Sequence, residues 1–256
     1  MLSIVMCSRD DQRFAAGEAG YAKAMGSAQY EIIRIPDARS MSEGYNRGYL
    51  EARGDQILFS HDDAFFLSGG LAEKLAHHFE RFDVFGVIGS TEMAGPVIHA
   101  AGPPYLYGQI ATIQPPRGLR VCIINAAAPA VPGMKLLDGV LIGATRAAVE
   151  RLDGWDETFR GFHGYDVDFS FRAHLAGLRV GCACDLDVLH TADSSYDTPE
   201  WREAAMRFIA VHKAHLLAAP PDMKWHSAEM WPKDEAHAAR LMRPPHWETL
   251  RLATDR

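Results

Sequence analysis

Gln56-Ile-Leu-Phe-Ser-His-Asp-Asp63 is a run of apolar, strand-forming residues that ends in an imidazole and two carboxylates. An uninterrupted apolar run of this length reads as a strand covered on both faces. Acids placed just past its end stand at the edge of a sheet, where open α/β proteins bind ligands. Carboxylate oxygens there also suit a hard divalent cation that bridges protein to a diphosphate.

The flanking sequence repeats this strand rhythm. Leu2 to Met6 is an apolar, β-branched run followed by the polar loop Ser8-Arg-Asp-Asp11 and a helical stretch to about Ala24. Tyr30 to Ile35 is a second strand, broken by Pro36-Asp-Ala-Arg-Ser40 before an amphipathic helix to about Arg53. A helix from about Gly70 to Phe82 leads to a fourth strand, Val84 to Gly89. Such alternation predicts an α/β domain with a mainly parallel sheet and helices on both faces. Residues 91 to 134 are rich in Gly, Pro and Ala and contain one clear strand, Leu119 to Ile124, so loops or a β-ribbon are expected over the sheet edge.

Regular structure resumes at Leu136 to Ile142 and a helix from Arg146 to Leu152. The second acidic cluster, Tyr165-Asp-Val-Asp168, opens a helix to Ala176, and a strand follows at Leu178 to Cys184. Asp168 lies one helical turn before Arg172 and is placed to pair with it. Thr198 to Leu216 is an amphipathic helix with Pro199 in its first turn, where a missing N–H costs little. Residues 1–216 therefore read as one domain, with halves at 1–95 and 96–216. Residues 217–256, with two Pro-Pro steps and three of the five tryptophans, read as a helical or irregular appendage. Its apolar load requires cover, either by its own domain or by a dimer contact or acceptor-side lid.

Composition narrows the function classes. A formal charge of −7 and the lack of any Lys/Arg run argue against a nucleic-acid partner. No segment reaches the roughly 20 apolar residues of a membrane span. The N-terminus lacks the cationic and apolar regions of a signal peptide, so a cytoplasmic protein is expected. Cys7, Cys122, Cys182 and Cys184 are too few and too irregular for a disulfide framework or a zinc site, and read as reduced core residues. Most histidines, including His77, His78, His212, His215 and His226, are expected to face solvent. Neither a P-loop nor a Gly-x-Gly-x-x-Gly phosphate cradle occurs, which favours a metal-dependent diphosphate site.

Three stretches together carry a family resemblance: Ser42-Glu-Gly-Tyr-Asn46 with His61-Asp-Asp-Ala64; Leu137-Asp-Gly-Val-Leu-Ile142 with Leu152-Asp-Gly-Trp-Asp-Glu157; and Phe162-His-Gly-Tyr-Asp-Val-Asp168. They resemble inverting family 2 glycosyltransferases of the GT-A fold, and most closely a bacterial glycosyltransferase-like branch with His-x-Asp in place of Asp-x-Asp. The resemblance covers most of residues 1 to 195. It implies transfer of a sugar, with inversion, from a nucleotide-diphosphate donor, UDP by default, to a saccharide or other hydroxyl acceptor.

Site roles follow by position. Asp63 is implied as the ligand of Mn²⁺ or Mg²⁺, and His190, late in Asp187-Val-Leu-His190, as a further metal ligand. His61 stands in place of the family's first acid and is left between the ribose, a water and the metal. Asp62 is left beside or behind the donor site. Asp166 aligns with the catalytic base, while Tyr165 replaces the usual Glu. Ser8 and Arg9 after the first strand, and Asp37 after the second, occupy the loops that hold base and ribose in this fold. Asn46 is implied to steady the metal loop or diphosphate. A sugar nucleotidyltransferase and a non-catalytic nucleotide- or carbohydrate-binding relative stay open as alternatives.

Overall fold

A computed structural model describes residues 1–102, 104–126, 128–191, 198–217 and 227–243. The first part of the chain alternates as expected: β1 (Leu2–Cys7), α1 (Asp11–Met25), β2 (Tyr30–Ile35), α2 (Met41–Glu51), β3 (Gln56–His61), β4 (Ala64–Phe66), α3 (Leu71–Arg81), β5 (Val84–Gly86) and β6 (Ile88–Ser90). There follow β7 (Leu106–Gln114), β8 (Gly118–Ile124), β9 (Ala130–Pro132), β10 (Leu136–Leu137), β11 (Leu141–Thr145), α4 (Arg146–Arg151), α5 (Tyr165–Leu175), β12 (Val180–Ala183) and β13 (Val188–His190). The described chain ends with α6 (Pro199–His212), β14 (Ser227–Met230) and α7 (Glu235–Leu241).

The central sheet has the order β2-β1-β3-β11-β5-β12-β9. β1 runs parallel to β2 and β3, and β12 parallel to β5, while β11 and β9 are antiparallel to their neighbours. Both faces are apolar because alternate residues serve opposite cores. Ile4, Met6 and Leu58 pack with Tyr21, Leu75 and Phe79 of α1 and α3. Val5, Ile57 and Phe59 pack with Tyr45 of α2, Val149 of α4 and Phe169 of α5.

A second sheet has the order β10-β6-β7-β13-β4 with β8 and β14 beyond β7, and its β7 and β8 occupy the stretch where the sequence predicts loops or a ribbon with one strand. β7 and β8 form that ribbon as an antiparallel hairpin. β7 was not foreseen because its apolar residues are diluted by Gly108 and Ala111. Gly108, at φ +127, lies so close to Val87 that a Cβ would overlap the Val87 carbonyl. The expected fourth strand also divides: at Val87 the chain leaves the central sheet as β5 and enters the second sheet as β6. A periodicity count cannot see this change of partner, since both pieces are buried along their whole length.

Two histidines depart from the solvent-facing expectation. His78 is buried on α3, with Nε2 2.6 Å from Asp185 Oδ1. His212 is buried on α6, 2.9 Å from Asp168, and links α6 to α5. His77 and His215 are exposed, and His226 lies outside the described residues. Of the expected appendage, the described residues 227–243 pack on the domain: β14 extends the second sheet antiparallel to β8, and Ala238 and Met242 join the core. Gln109 Nε2 donates to the Met242 carbonyl at 2.8 Å. Among the described residues no helix is long and apolar enough to cross a membrane.

Candidate active site

β3 belongs to the central sheet and β4 to the second, so Asp62 and Asp63 form the corner between them. Two backbone bonds hold this corner: His61 N–H donates to Val140 O (3.1 Å) and Thr191 N–H to Asp63 O (3.2 Å). β13 pairs antiparallel with β4, setting His190 opposite Ala64. The sheet junction thereby brings His61, Asp63 and His190 together, with one potential ligand atom from each within 4.8 Å of the others. Asp63 Oδ1 is the focus, 3.3 Å from His190 Nε2 and 3.9 Å from His61 Nδ1.

This donor set fits a divalent cation such as Mn²⁺: one carboxylate and two imidazoles converge without a thiolate. His190 Nε2 is buried and faces Asp63 Oδ1 at 3.3 Å. Burial lowers the imidazole, but Asp63 outweighs it and raises the group above its ordinary value, so a cation seated between them would displace that proton. Burial would raise the Asp63 carboxyl, but His190, His61 and Arg13 outweigh it and hold the group down at about 2. Burial and the neighbouring His190 push His61 below its ordinary value, toward the neutral form a metal requires.

Tyr165 holds the ring of His61. Its hydroxyl lies 2.7 Å from His61 Nε2 and 3.5 Å from the Gly139 carbonyl, which keeps Nδ1 turned toward Asp63. The residue that departs from the family's usual Glu is therefore tied directly into the group. Sequence alone carried no sign of this contact, since 104 positions separate the partners.

Asp166 reaches the same cavity from the start of α5. Gly164, at φ +75, starts α5 in a conformation that favours glycine, and Asp166 follows in the first turn. Asp166 Oδ2 accepts from Gly139 N–H at 2.9 Å. A side chain at 139 would overlap the Tyr165 hydroxyl and stand 2.9 Å from Asp166 Cβ, so glycine is what lets α5 approach this turn. Burial, then the neighbouring Asp138 carboxylate, push Asp166 up to about 7. Asp168, two residues on, is buried and held by Arg172 Nε at 2.7 Å and by His212, away from the cavity.

One cavity of about 420 Å³ joins these groups. Ser8, Arg9, His61, Asp62, Asp63, Asp166 and His190 all line it. Asp62 turns toward the β1–α1 loop, accepting from Ser8 Oγ and Arg13 at 2.8 Å each. Ile35, Ala38 and Met41 form an apolar wall, with Phe162 and Trp201 farther along the lining. Two predicted residues lie outside this lining. Asp37 is exposed and paired with Arg47 at 2.8 Å. Asn46 clamps the turn after α4, donating to Trp155 O (2.9 Å) and accepting from Trp155 N–H (2.8 Å). Arg13 and Asp138 line the cavity but escaped the sequence reading, because nothing local marks a helix-face Arg or a turn Asp as functional.

Known structures show the same fold. GalNAc-T7, solved with UDP, GalNAc and Mn²⁺, superposes with a TM-score of 0.56 at 10% identity over 82% of this chain and 48% of that one. This chain thus spans about half the length of GalNAc-T7. TarS 1–349 of S. aureus superposes at 0.51 with 12% identity over 98% of this chain and 72% of that one. Identities this low show the GT-A fold alone. A search of curated proteins finds no match. The model of the glycosyltransferase-like family matches residues 3–212, a stretch that contains both acidic turns and His190, and the chain belongs to that family.

Proposed function

We propose that the protein transfers a sugar from a nucleoside-diphosphate donor to an acceptor hydroxyl in a metal-dependent, inverting reaction. The observation that carries this reading is one cavity lined by both a three-residue group suited to a divalent cation and a carboxyl raised to about 7. A carboxyl of that pKa is a competent proton acceptor near neutral pH, whereas an ordinary Asp is too weak a base. UDP is the default nucleotide, as in the GalNAc-T7 complex.

The cation, held by Asp63, His190 and His61 as neutral imidazole, would supply Lewis-acid stabilisation of the departing diphosphate. Ser8 and Arg9 would hold the nucleoside against the Ile35, Ala38 and Met41 wall, with Asp62 steadying Ser8 and Arg13 behind them. Asp37 and Asn46 would act from outside the lining, Asp37 near the base and Asn46 through the Trp155 turn. Asp166, oriented by Gly139 N–H, removes the proton of the acceptor hydroxyl as that oxygen attacks the anomeric carbon. Attack opposite the leaving group inverts the configuration. The four free thiols suit the reducing cytoplasm as the site of action.

A panel of sugar nucleotides, with and without Mn²⁺, tests the reading by product release and by NMR of the anomeric proton. Mn²⁺-dependent cleavage of one donor with an inverted product is expected. Equal turnover in a metal chelator, or a retained configuration, would overturn the corresponding part.

A further inference from the structure

Among the described residues, Arg13 is the one cavity-lining arginine whose guanidinium sits on the corner acids. Asp10 caps α1 by accepting from Gln12 N–H (2.8 Å) and Arg13 N–H (2.9 Å), which fixes the first helical turn over the β3–β4 corner. From there Arg13 reaches Asp62 Oδ1 at 2.8 Å and Asp63 Oδ2 at 3.3 Å, with its side chain still 52% exposed. The other lining arginine, Arg9, is committed elsewhere: its guanidinium donates to Ala38 O at 2.5 Å and lies 5.5 Å from the Phe162 ring centre.

The two oxygens of Asp63 are thus divided. Oδ1 faces His190 and His61, and Oδ2 faces Arg13. A cation on Oδ1 draws charge from the carboxylate and weakens its attraction for Arg13. A diphosphate entering the cavity meets a lining that already contains Asp10, Asp62, Asp63, Asp138 and Asp166, so it needs cations beside it. An exposed guanidinium on a long stem can supply one, as a two-pronged donor to phosphate oxygens.

We infer that Arg13 is a two-position cation: it neutralises Asp62 and Asp63 in the empty protein and turns to the donor's diphosphate once a divalent cation takes Asp63. The inference rests on the proposed metal-dependent function and adds a diphosphate-binding residue to it. Its consequence is a pair of opposite effects. Arg13 competes with the cation when no nucleotide is present, and strengthens diphosphate binding when the cation is there.

Calorimetric titration of the full chain with Mn²⁺ alone, and with UDP at saturating Mn²⁺, reads both effects. Arg13→Met is expected to bind Mn²⁺ several-fold tighter than wild type and UDP about tenfold weaker, the loss of a charge-assisted hydrogen bond. Arg13→Lys, which keeps the charge without the fork, is expected to fall between them. Both affinities moving in one direction, or neither moving, in a folded Arg13→Met protein would overturn the role of Arg13 alone. A wild type that binds UDP equally with and without Mn²⁺ would overturn the metal reading, and the Arg13 inference with it.

Discussion

The corner after β3 and the turn that opens α5 each present two acids separated by little sequence, yet their surroundings differ in sign. Around Asp63 stand His190, His61 and Arg13, and the carboxyl is held at about 2. Around Asp166 stand a backbone N–H, a buried wall and the Asp138 carboxylate, and the carboxyl rises to about 7. The same side chain is a permanent anion in one place and a titrating base in the other. Under the proposed function, environment divides the labour, with charge kept where a cation would be held and a proton exchanged where an acceptor would be activated. Tyr165 and Gly139 join the two regions, since Tyr165 contacts His61 while Gly139 N–H holds Asp166.

The largest effect is expected at the corner. Asp63→Ala removes the shared oxygen of the metal group, and loss of several kcal/mol of transition-state stabilisation corresponds to a fall in transfer on the order of 10³-fold. Mn²⁺-dependent thermal stabilisation by UDP should vanish with it, and the unliganded melting temperature should fall at neutral pH, because a buried carboxyl held down by His190, His61 and Arg13 stabilises the folded state above the ordinary Asp pKa. Retained Mn²⁺ dependence would erase the distinction between the two acids.

Asp166→Asn comes next, with transfer expected to fall about 10²-fold or more and UDP affinity unchanged in titration. The pH profile sharpens the contrast. Transfer by the wild type should rise with pH up to about 7 and then level, because the base must be ionised. Stability carries the opposite sign. The folded pKa lies above that of an unfolded Asp, so the stability contributed by Asp166 is full below about 4 and is lost as pH rises through 7. Asp166→Asn should therefore gain melting temperature relative to wild type between pH 4.5 and 8. A constant difference across that range would contradict the burial of its charge.

A smaller change is expected from Tyr165→Phe. Removing the hydroxyl that holds His61 Nε2 frees the imidazole to turn, and Mn²⁺ affinity should weaken about tenfold. Unchanged affinity in titration would show that the hydroxyl has no say in the metal group. Asp168→Asn should move catalysis least, within about threefold, because its carboxylate points to Arg172 and His212. Its cost appears in denaturant unfolding, about 3 kcal/mol for uncoupling a buried charge pair. Were Asp168→Asn instead to abolish transfer in the folded protein, the base would lie two residues away from its assigned place.

Much of the architecture was legible locally. Strands β1 to β3 and helices α1 to α3 announce themselves through apolar runs, caps and breakers, and their observed limits fall within a few residues of the expected ones. Both acidic turns were visible for the same reason, because an Asp just past a strand or in the first turn of a helix is a local pattern. His78 and His212 were misjudged because their partners, Asp185 and Asp168, are 107 and 44 positions away. A buried polar side chain is recognised by its hydrogen-bond partner, and distance along the chain hides it.

By itself the sequence determined the doubly covered α/β sheet with β1, β2 and β3 parallel, the acids at its edge and the helix carrying Asp166, since periodicity and capping act over a few neighbouring residues. The antiparallel insertion of β11 and β9, by contrast, makes the central sheet mixed rather than mainly parallel. Only the tertiary structure decided that Val84 to Ser90 serves two sheets, that Tyr165 sets His61, that Arg13 sits on the corner acids, and that one carboxyl falls to about 2 while another rises to about 7. Each of these depends on which charges and ladders meet across the junction of the sheets, and electrostatic environment is a property of distances in space that no short window of sequence encodes.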